Sequence, residues 1–253
     1  MSLVITTYVP EGIVMASDSR QSITVKGKTP DGKPIPKVDT TNSDNVYKTY
    51  LLSRKDKDGK PLFEIGAQSF GQALLGGVST TSHIKRFSEE KLADEDDVTT
   101  IQKKLLDFFK EKFPGENTGF HIAGYKKEGK VSVPYVYYCH IGRNVMKRKN
   151  VKPDGKLDYG ATWSGQIDVL SGILQPSILP NPQGKPLTMR KHPIIWDAMP
   201  LQDAIDFSIF AIRTTIDTIR FQARPKNVGG PIDVLVITPD DARWIQRKEL
   251  RGR

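Results

Sequence analysis

Ser2 directly follows the initiator Met1, and no other residue in this chain joins two reactive groups so simply. Removal of Met1 would leave a serine that carries both a hydroxyl and a free α-amine. An α-amine titrates near pH 8 or slightly below. It is therefore a base close to neutral pH, and nucleophile and base then reside on one residue. Cytosolic removal of Met1 is favoured before a small residue such as serine. The chain's other familiar chemical groups are less promising. His83, His121, His140 and His192 are scattered without metal-ligand spacing and read as structural or surface residues. No nucleotide-binding loop is present, and no cofactor or metal is expected.

Ser2 opens a short apolar segment, Leu3 to Val9, and a second apolar segment, Ile13 to Ser17, follows the turn Pro10-Glu11-Gly12. This pattern predicts a β-hairpin. Residues 21–46 are polar and rich in Gly, Pro and Asp, and read as a long loop or flap. Val46 to Ser53 and Pro61 to Ala67 read as a strand pair turned by Lys55 to Lys60. Two helices are expected next, over Gln68 to Phe87 and over 96–113. In the second, Val98, Ile101, Leu105, Phe108, Phe109 and Phe113 recur at helical spacing. Asp96 or Asp97 caps it and Pro114-Gly115 stops it. Strands follow over 119–125, 131–141 and 144–149, then a short helix over Gln166 to Leu174. Residues 175–198 read as an extended connection. Leu201 to Phe221 is an amphipathic helix, and Ile232 to Thr238 is a buried strand.

The chain has 253 residues, 37% hydrophobic and 26% charged, enough for a substantial core. The apolar runs are too short to span a bilayer. The N-terminus lacks the basic stretch, apolar segment and cleavage site of a signal peptide. Cys139 is the only cysteine, so no intrachain disulfide can form, which suits a reducing compartment. A cytoplasmic protein without membrane contact is expected. The net charge is +9, which raises the question of nucleic acid. Most basic residues, however, are mixed with acids in turns. Only Lys147-Arg148-Lys149 and the tail from Arg247 are concentrated, so a solvated surface is the better reading. Strands, two helices, strands, helices and a strand in separate blocks imply an α+β layered domain over residues 1–253.

This block order, together with five segments, resembles the proteasome β-subunit family and is similar to bacterial peptidase ring subunits, including the Anbu type. The first segment is the opening hairpin with Met15-Ala16-Ser17-Asp18-Ser19-Arg20, where Asp18 follows Ser2 by sixteen residues. The second is Tyr47-Lys48-Thr49-Tyr50-Leu51-Leu52. The third is Phe63-Glu64-Ile65-Gly66-Ala67-Gln68-Ser69-Phe70-Gly71-Gln72. The fourth is Ala161-Thr162-Trp163-Ser164-Gly165, and the fifth is Gly229-Gly230-Pro231-Ile232-Asp233-Val234. The resemblance covers most of the chain, with extra residues in 21–46 and 175–198. It implies an N-terminal nucleophile hydrolase: a four-layer αββα sandwich of two mostly antiparallel sheets between helix layers.

The resemblance also implies roles. Ser2 is the nucleophile and its amine the base. Lys48 is the ammonium that lowers both their pKa values, and Asp18 pairs with it. The N–H of Gly66 binds the oxyanion, Ser164 orients the amine, and Ser22 holds the substrate backbone. Glu64, two residues before Gly66, would favour basic side chains before the cut. Thr6-Thr7 is a rival start, since family members often mature to Thr-Thr, but it breaks the sixteen-residue register to Asp18. The implied assembly is a homo-oligomeric ring or double ring that degrades unfolded polypeptides. Some members dock an ATP-driven unfoldase, which makes that a partner to consider. This chain departs from the family in offering serine rather than threonine. It also has Pro225 and Val228 where an Asp and a Ser support the nucleophile. A catalytically inactive ring subunit and an N-terminal-serine amidohydrolase acting on small amides are the alternatives.

Overall fold

The computed structural model describes residues 2–25, 29–34, 38–174, 178–180, 183–188 and 192–249. The opening apolar segments form the expected hairpin, β1 (Leu3–Val9) and β2 (Gly12–Ser17). All seven residues of β1 are buried, because both faces of this strand are covered. Leu3, Ile5 and Val9 meet one hydrophobic cluster and Tyr8 meets another, the period-two division of a strand. Within 21–46 the described residues include a two-stranded ribbon, β3 (Gln21–Val25) against β4 (Val38–Ser43), rather than an unpaired loop.

β5 (Thr49–Lys55) and β6 (Pro61–Gly71) make the next hairpin. Here the structure corrects the expected helix over Gln68 to Phe87. Gln68 to Gly71 continue β6, and β7 (Leu74–Leu75) pairs with β8 (Val78–Ser79) before any helix begins. Phe70, Leu74, Leu75, Ile84 and Phe87 imitate a helical stripe. Gly71, Gly76 and Gly77, at φ of +100°, +56° and +79°, take left-handed conformations that no helix accommodates. Helix α1 starts only at Thr80 and runs to Lys91, with the Ser79 hydroxyl accepting the Ser82 N–H at its N-cap. Helix α2 (Val98–Lys112) follows, and Asp97 and Thr100 form a reciprocal capping box.

β9 (Thr118–Glu128), β10 (Val131–His140) and β11 (Val145–Arg148) form a meander. The short strand β12 (Gly160–Gly165) precedes α3 (Asp168–Leu174). β13 (Ile178–Pro180) and β14 (Pro186–Thr188) pair within the expected extended connection. Helix α4 spans Leu201–Phe221, and β15 (Asp233–Ile237) and β16 (Ala242–Gln246) close the described chain.

Two five-stranded sheets result, ordered β12-β1-β2-β15-β16 and β11-β10-β9-β6-β5, with every neighbouring pair antiparallel. Ile205, Ala211, Ile212 and Ile219 of α4 pack with Leu170 of α3 onto the first sheet. Ile84 and Phe87 of α1 and Ile101, Leu105 and Phe109 of α2 pack onto the second. Met15, Leu235 and Ile237 meet Ala123 and Val136 between the sheets. The layers are helix, sheet, sheet, helix, the α+β sandwich expected. Each fully buried large apolar side chain contributes about 1.5–3 kcal/mol. The layers therefore form a firm frame around the start of β1.

Candidate active site

The N-terminal end of β1 is the point where the frame converges on Ser2. On one side lies β12, with Gly165 opposite Leu3 and Ser164 opposite Val4. On the other lies β2, with Ser17 opposite Val4. Ser2 itself is buried, and its carbonyl accepts the Gln166 N–H at 2.7 Å. Gly165, at φ +101°, permits that approach; a Cβ there would stand 1.7 Å from the Ser2 carbonyl oxygen.

Asp18 follows directly after β2 and is fully buried. Its Oδ1 accepts the Leu3 N–H at 2.8 Å and the Lys48 ammonium at 2.6 Å. Its Oδ2 accepts the N–H groups of Arg20 and Gly229, each at 3.1 Å. The Asp18 N–H in turn donates to the Leu3 carbonyl at 3.2 Å. The carboxylate thus grips the residue beside Ser2 and the lysine at once. Lys48 Nζ also donates to the Arg20 carbonyl at 2.6 Å. Burial pushes the Lys48 ammonium below its ordinary pKa, and the Asp18 carboxylate beside it opposes that shift.

Around this pair stands a second charged layer. Arg20 grips Asp44 through two bonds of 2.6 and 2.7 Å and reaches the Lys226 carbonyl at 3.0 Å. The bond from Arg20 holds the Asp44 carboxyl below its usual range. Gly229 allows the Arg20 side chain to lie against the backbone, since a Cβ there would come within 2.6 Å of the guanidinium carbon. Gly229 also takes the Ser19 N–H at 3.0 Å. The loop that lacks polar side chains at Pro225 and Val228 therefore supports Asp18 through the Gly229 backbone. Val228 itself is buried in the hydrophobic cluster beneath α4.

Three clefts meet at Ser2. A cleft of about 360 Å³ is lined on the β12 side by Ser164 and Trp163, on the other sheet by Phe70, Tyr138 and His140, and by Arg143 in the turn after β10. One of about 400 Å³ lies on the β2 side, bordered by Arg20, Gln21, Ser22 and Ile23 and by Gly71 to Leu74. A small notch between them reaches Tyr47, Lys48, Ser69 and Thr81.

Of the residues expected from the sequence, Asp18, Lys48, Ser164 and Ser22 are thus gathered at Ser2. Gly66 and Glu64 are not. Gly66 lies inside β6, paired with Leu51 on one side and Ala123 on the other. A Cβ there would strike Met15 and Ile237 in the layer between the sheets. A glycine so placed answers to sheet-on-sheet packing and borders none of the three clefts. Glu64 is also directed elsewhere: its Oε2 accepts the Ala242 N–H at 2.8 Å, at the start of β16. Thr6 and Thr7, the rival start, are buried inside β1.

The structure adds two residues that sequence reasoning passed over. Gly71, at the end of β6, borders both larger clefts together with Ser2. Pairing with the lysine segment ends just before it, where the Ser69 N–H donates to the Lys48 carbonyl at 2.9 Å. The Gly-Gln after Ser69-Phe70 was its only signal. His121, read as structural or surface, is fully buried and contacts Ser164 at 2.9 Å. Burial, and secondarily Lys149, lowers its pKa to about 3. Among the described residues no cluster of side chains could hold a metal ion. No described helix is long and apolar enough to cross a membrane.

No protein-family model and no curated protein sequence matches the chain. Solved structures do. An Anbu mutant from Hyphomicrobium sp. strain MC1 superimposes with a TM-score of 0.57 at 15% identity, over 97% of this chain and 87% of that one. The fold is shared with Anbu. Anbu from Yersinia bercovieri, described as an ancestral β-subunit, gives a TM-score of 0.57 at 13% identity, over 96% of this chain and 86% of that one. At such identities the likeness to Anbu establishes the architecture; the chemistry rests on the residues themselves.

Proposed function

We propose that this chain is a peptidase subunit that hydrolyses peptide bonds through Ser2 after loss of Met1. The observation that carries the reading is the buried Asp18–Lys48 pair, bonded through Leu3 to the residue bearing the nucleophile. The Ser2 hydroxyl attacks the scissile carbonyl, and the Ser2 amine takes its proton, directly or through water. The amine then protonates the leaving amine, and water releases the acyl group from Ser2 by the same route. The Lys48 charge favours the ionised hydroxyl and lowers the pKa of the amine. Asp18 keeps Lys48 in place.

Gly66 is too deep in the sheet to meet an oxyanion, so we assign that task to the Gly71 N–H. It lies beyond the last bond between β6 and the lysine segment and borders the clefts that Ser2 shares. One such donor is worth roughly 3 kcal/mol of transition-state stabilisation. Ser22, beside the β2-side cleft, holds an extended substrate by strand pairing. The β12-side cleft receives the opposite flank of the peptide.

The shared fold favours assembly into a homo-oligomeric ring or double ring in the cytoplasm, acting on unfolded polypeptides, with an ATP-driven unfoldase as a candidate partner. The apolar Val228 favours one rival, an inactive structural subunit. A peptide library offered to two preparations separates them: one with free Ser2, the other with Ser2 acetylated. Turnover confined to the free form is expected. Equal turnover by both would refute the mechanism, and turnover by neither would favour the structural subunit. Turnover of small amides alone would instead indicate an amidohydrolase.

A further inference from the structure

Between the two sheets, behind Ser164, runs a chain of buried polar side chains that the mechanism above does not use. Gln68 of β6 places Nε2 at 2.8 Å from the Ala16 carbonyl oxygen and at 3.1 Å from Thr49 Oγ1. Its Oε1 lies 3.0 Å from Thr6 Oγ1. Thr6 Oγ1 lies 3.1 Å from His121 Nδ1, and His121 Nε2 lies 2.9 Å from Ser164 Oγ. Thr6, Gln68 and His121 are completely buried, and Ser164 is nearly so.

The order of protons along this chain follows from one fixed point. A flipped Gln68 amide would oppose two oxygens at Ala16, so Nε2 is the group facing that carbonyl and Oε1 is left as an acceptor. Oε1 takes the hydroxyl proton of Thr6. The reverse sense would set lone pair against lone pair in a site without solvent. With its only proton committed to Gln68, Thr6 Oγ1 must accept, so the proton of the neutral imidazole is on Nδ1. The Nε2 atom of His121 then offers a lone pair, and the Ser164 hydroxyl donates to it. Ser164 keeps its lone pairs for other donors, and it lines a cleft together with Ser2. Burial keeps the ring neutral over the working range, since its pKa lies near 3.

We propose that His121 is a positioning residue for the N-terminal amine: by fixing the proton order through Thr6 and Gln68, it makes Ser164 a hydrogen-bond acceptor toward Ser2. The amine then points an N–H at Ser164, and its own lone pair is turned toward the Ser2 hydroxyl that it deprotonates. If Ser164 were free to rotate, its hydroxyl would donate to the amine and occupy the lone pair that the reaction requires. The inference rests on the Ser2 reading, but its core is a proton order that exists with or without turnover.

Nitrogen-15 NMR of histidine-labelled protein reads that order directly. A protonated Nδ1 and bare Nε2 are expected for His121 at pH 7. In peptide hydrolysis, His121→Phe is expected to lower kcat roughly 10-fold with KM changed less than about two-fold. The acid limb of its kcat/KM profile moves down by about half a unit or more, because a donating Ser164 favours the neutral amine. On a Ser164→Ala background the same change adds less than about two-fold, since His121 acts through Ser164. A bare Nδ1, an unmoved acid limb or multiplying effects would overturn the proposal. The NMR measurement needs only the wild type, so misfolding of a variant cannot decide the matter. An inactive wild type that shows the expected tautomer would overturn the Ser2 reading, and with it the role toward the amine. An active wild type with the opposite tautomer would overturn this proposal alone.

Discussion

The four donors that surround the Asp18 carboxylate come from four places in the sequence: Leu3, Arg20, Lys48 and Gly229. Removing the charge should therefore do two kinds of damage. Asp18→Asn leaves a buried ammonium without its partner, at a cost of about 3–5 kcal/mol in a denaturant titration. It also loosens Ser2 relative to Lys48, and peptide turnover should fall at least about 100-fold. Retention of wild-type turnover by this variant would remove Asp18 from the account. Ser2→Thr keeps both hydroxyl and amine and should retain turnover, whereas Ser2→Ala should lose about 1,000-fold or more. His121 gives the site a pH signature. Its pKa falls from 6.5 in the unfolded chain to about 3 in the folded protein. Above pH 6.5 neither state is protonated there, so the residue has no pH effect. Below that, the unfolded chain gains a proton that the folded state refuses, and stability is lost at up to about 1.4 kcal/mol per pH unit down to pH 3. The slope of unfolding midpoint against pH between 6 and 4 should be shallower in His121→Gln; an unchanged slope would mean that the ring titrates normally.

Strand β12 fixes the position of Ser2, and its contact with β1 depends on Gly165. Gly165→Ala forces a Cβ into the Ser2 carbonyl and strains a backbone at φ +101°. A loss of roughly 1–3 kcal/mol is expected, several degrees in melting temperature, with a larger proportional loss of turnover. A variant as stable and active as the wild type would show that the close approach is dispensable. β12 was also the element hardest to read in advance. Between its two glycines β12 has only one short alternation, Ala161 and Trp163 against Thr162 and Ser164, too brief to mark a strand by itself. β16 was missed for the same reason, since its exposed, polar face gives a weak period. The helices α2 and α4 were legible because a stripe of Ile, Leu and Phe recurs at helical spacing over several turns. The segment from Gln68 to Ser79 misled because its apolar residues fit a helix while its glycines fit turns. The expectation for Gly66 came instead from matching Phe63 to Gln72 to a family segment. A motif gives no side-chain direction; the register places the middle of β6, at Gly66, against Met15, while Gly71 at its end borders clefts shared with Ser2.

Across the whole molecule, the sandwich buries its apolar residues in three layers but leaves several large ones in solvent. Phe221 at the end of α4 is 82% exposed, Phe210 on the same helix 48%, and Ile173 on α3 47%. Exposed apolar side chains on one helical layer suit contacts between copies. Sedimentation of the purified protein should therefore show particles of many subunits, and Phe210→Glu with Phe221→Glu should reduce their mass while leaving the fold intact. A wild type that stays monomeric at micromolar concentration would contradict the ring assembly. The net charge is +9, and some exposed lysines stand beside acids, such as Lys33 beside Asp31 and Lys156 beside Asp154.

The most direct measurement of the central claim is the mass of the intact protein before and after treatment with a β-lactone, followed by location of the adduct. The account predicts a chain lacking Met1 and one adduct per subunit, on Ser2. A chain that keeps Met1 yet cleaves peptides, or an adduct on any other residue, would contradict it.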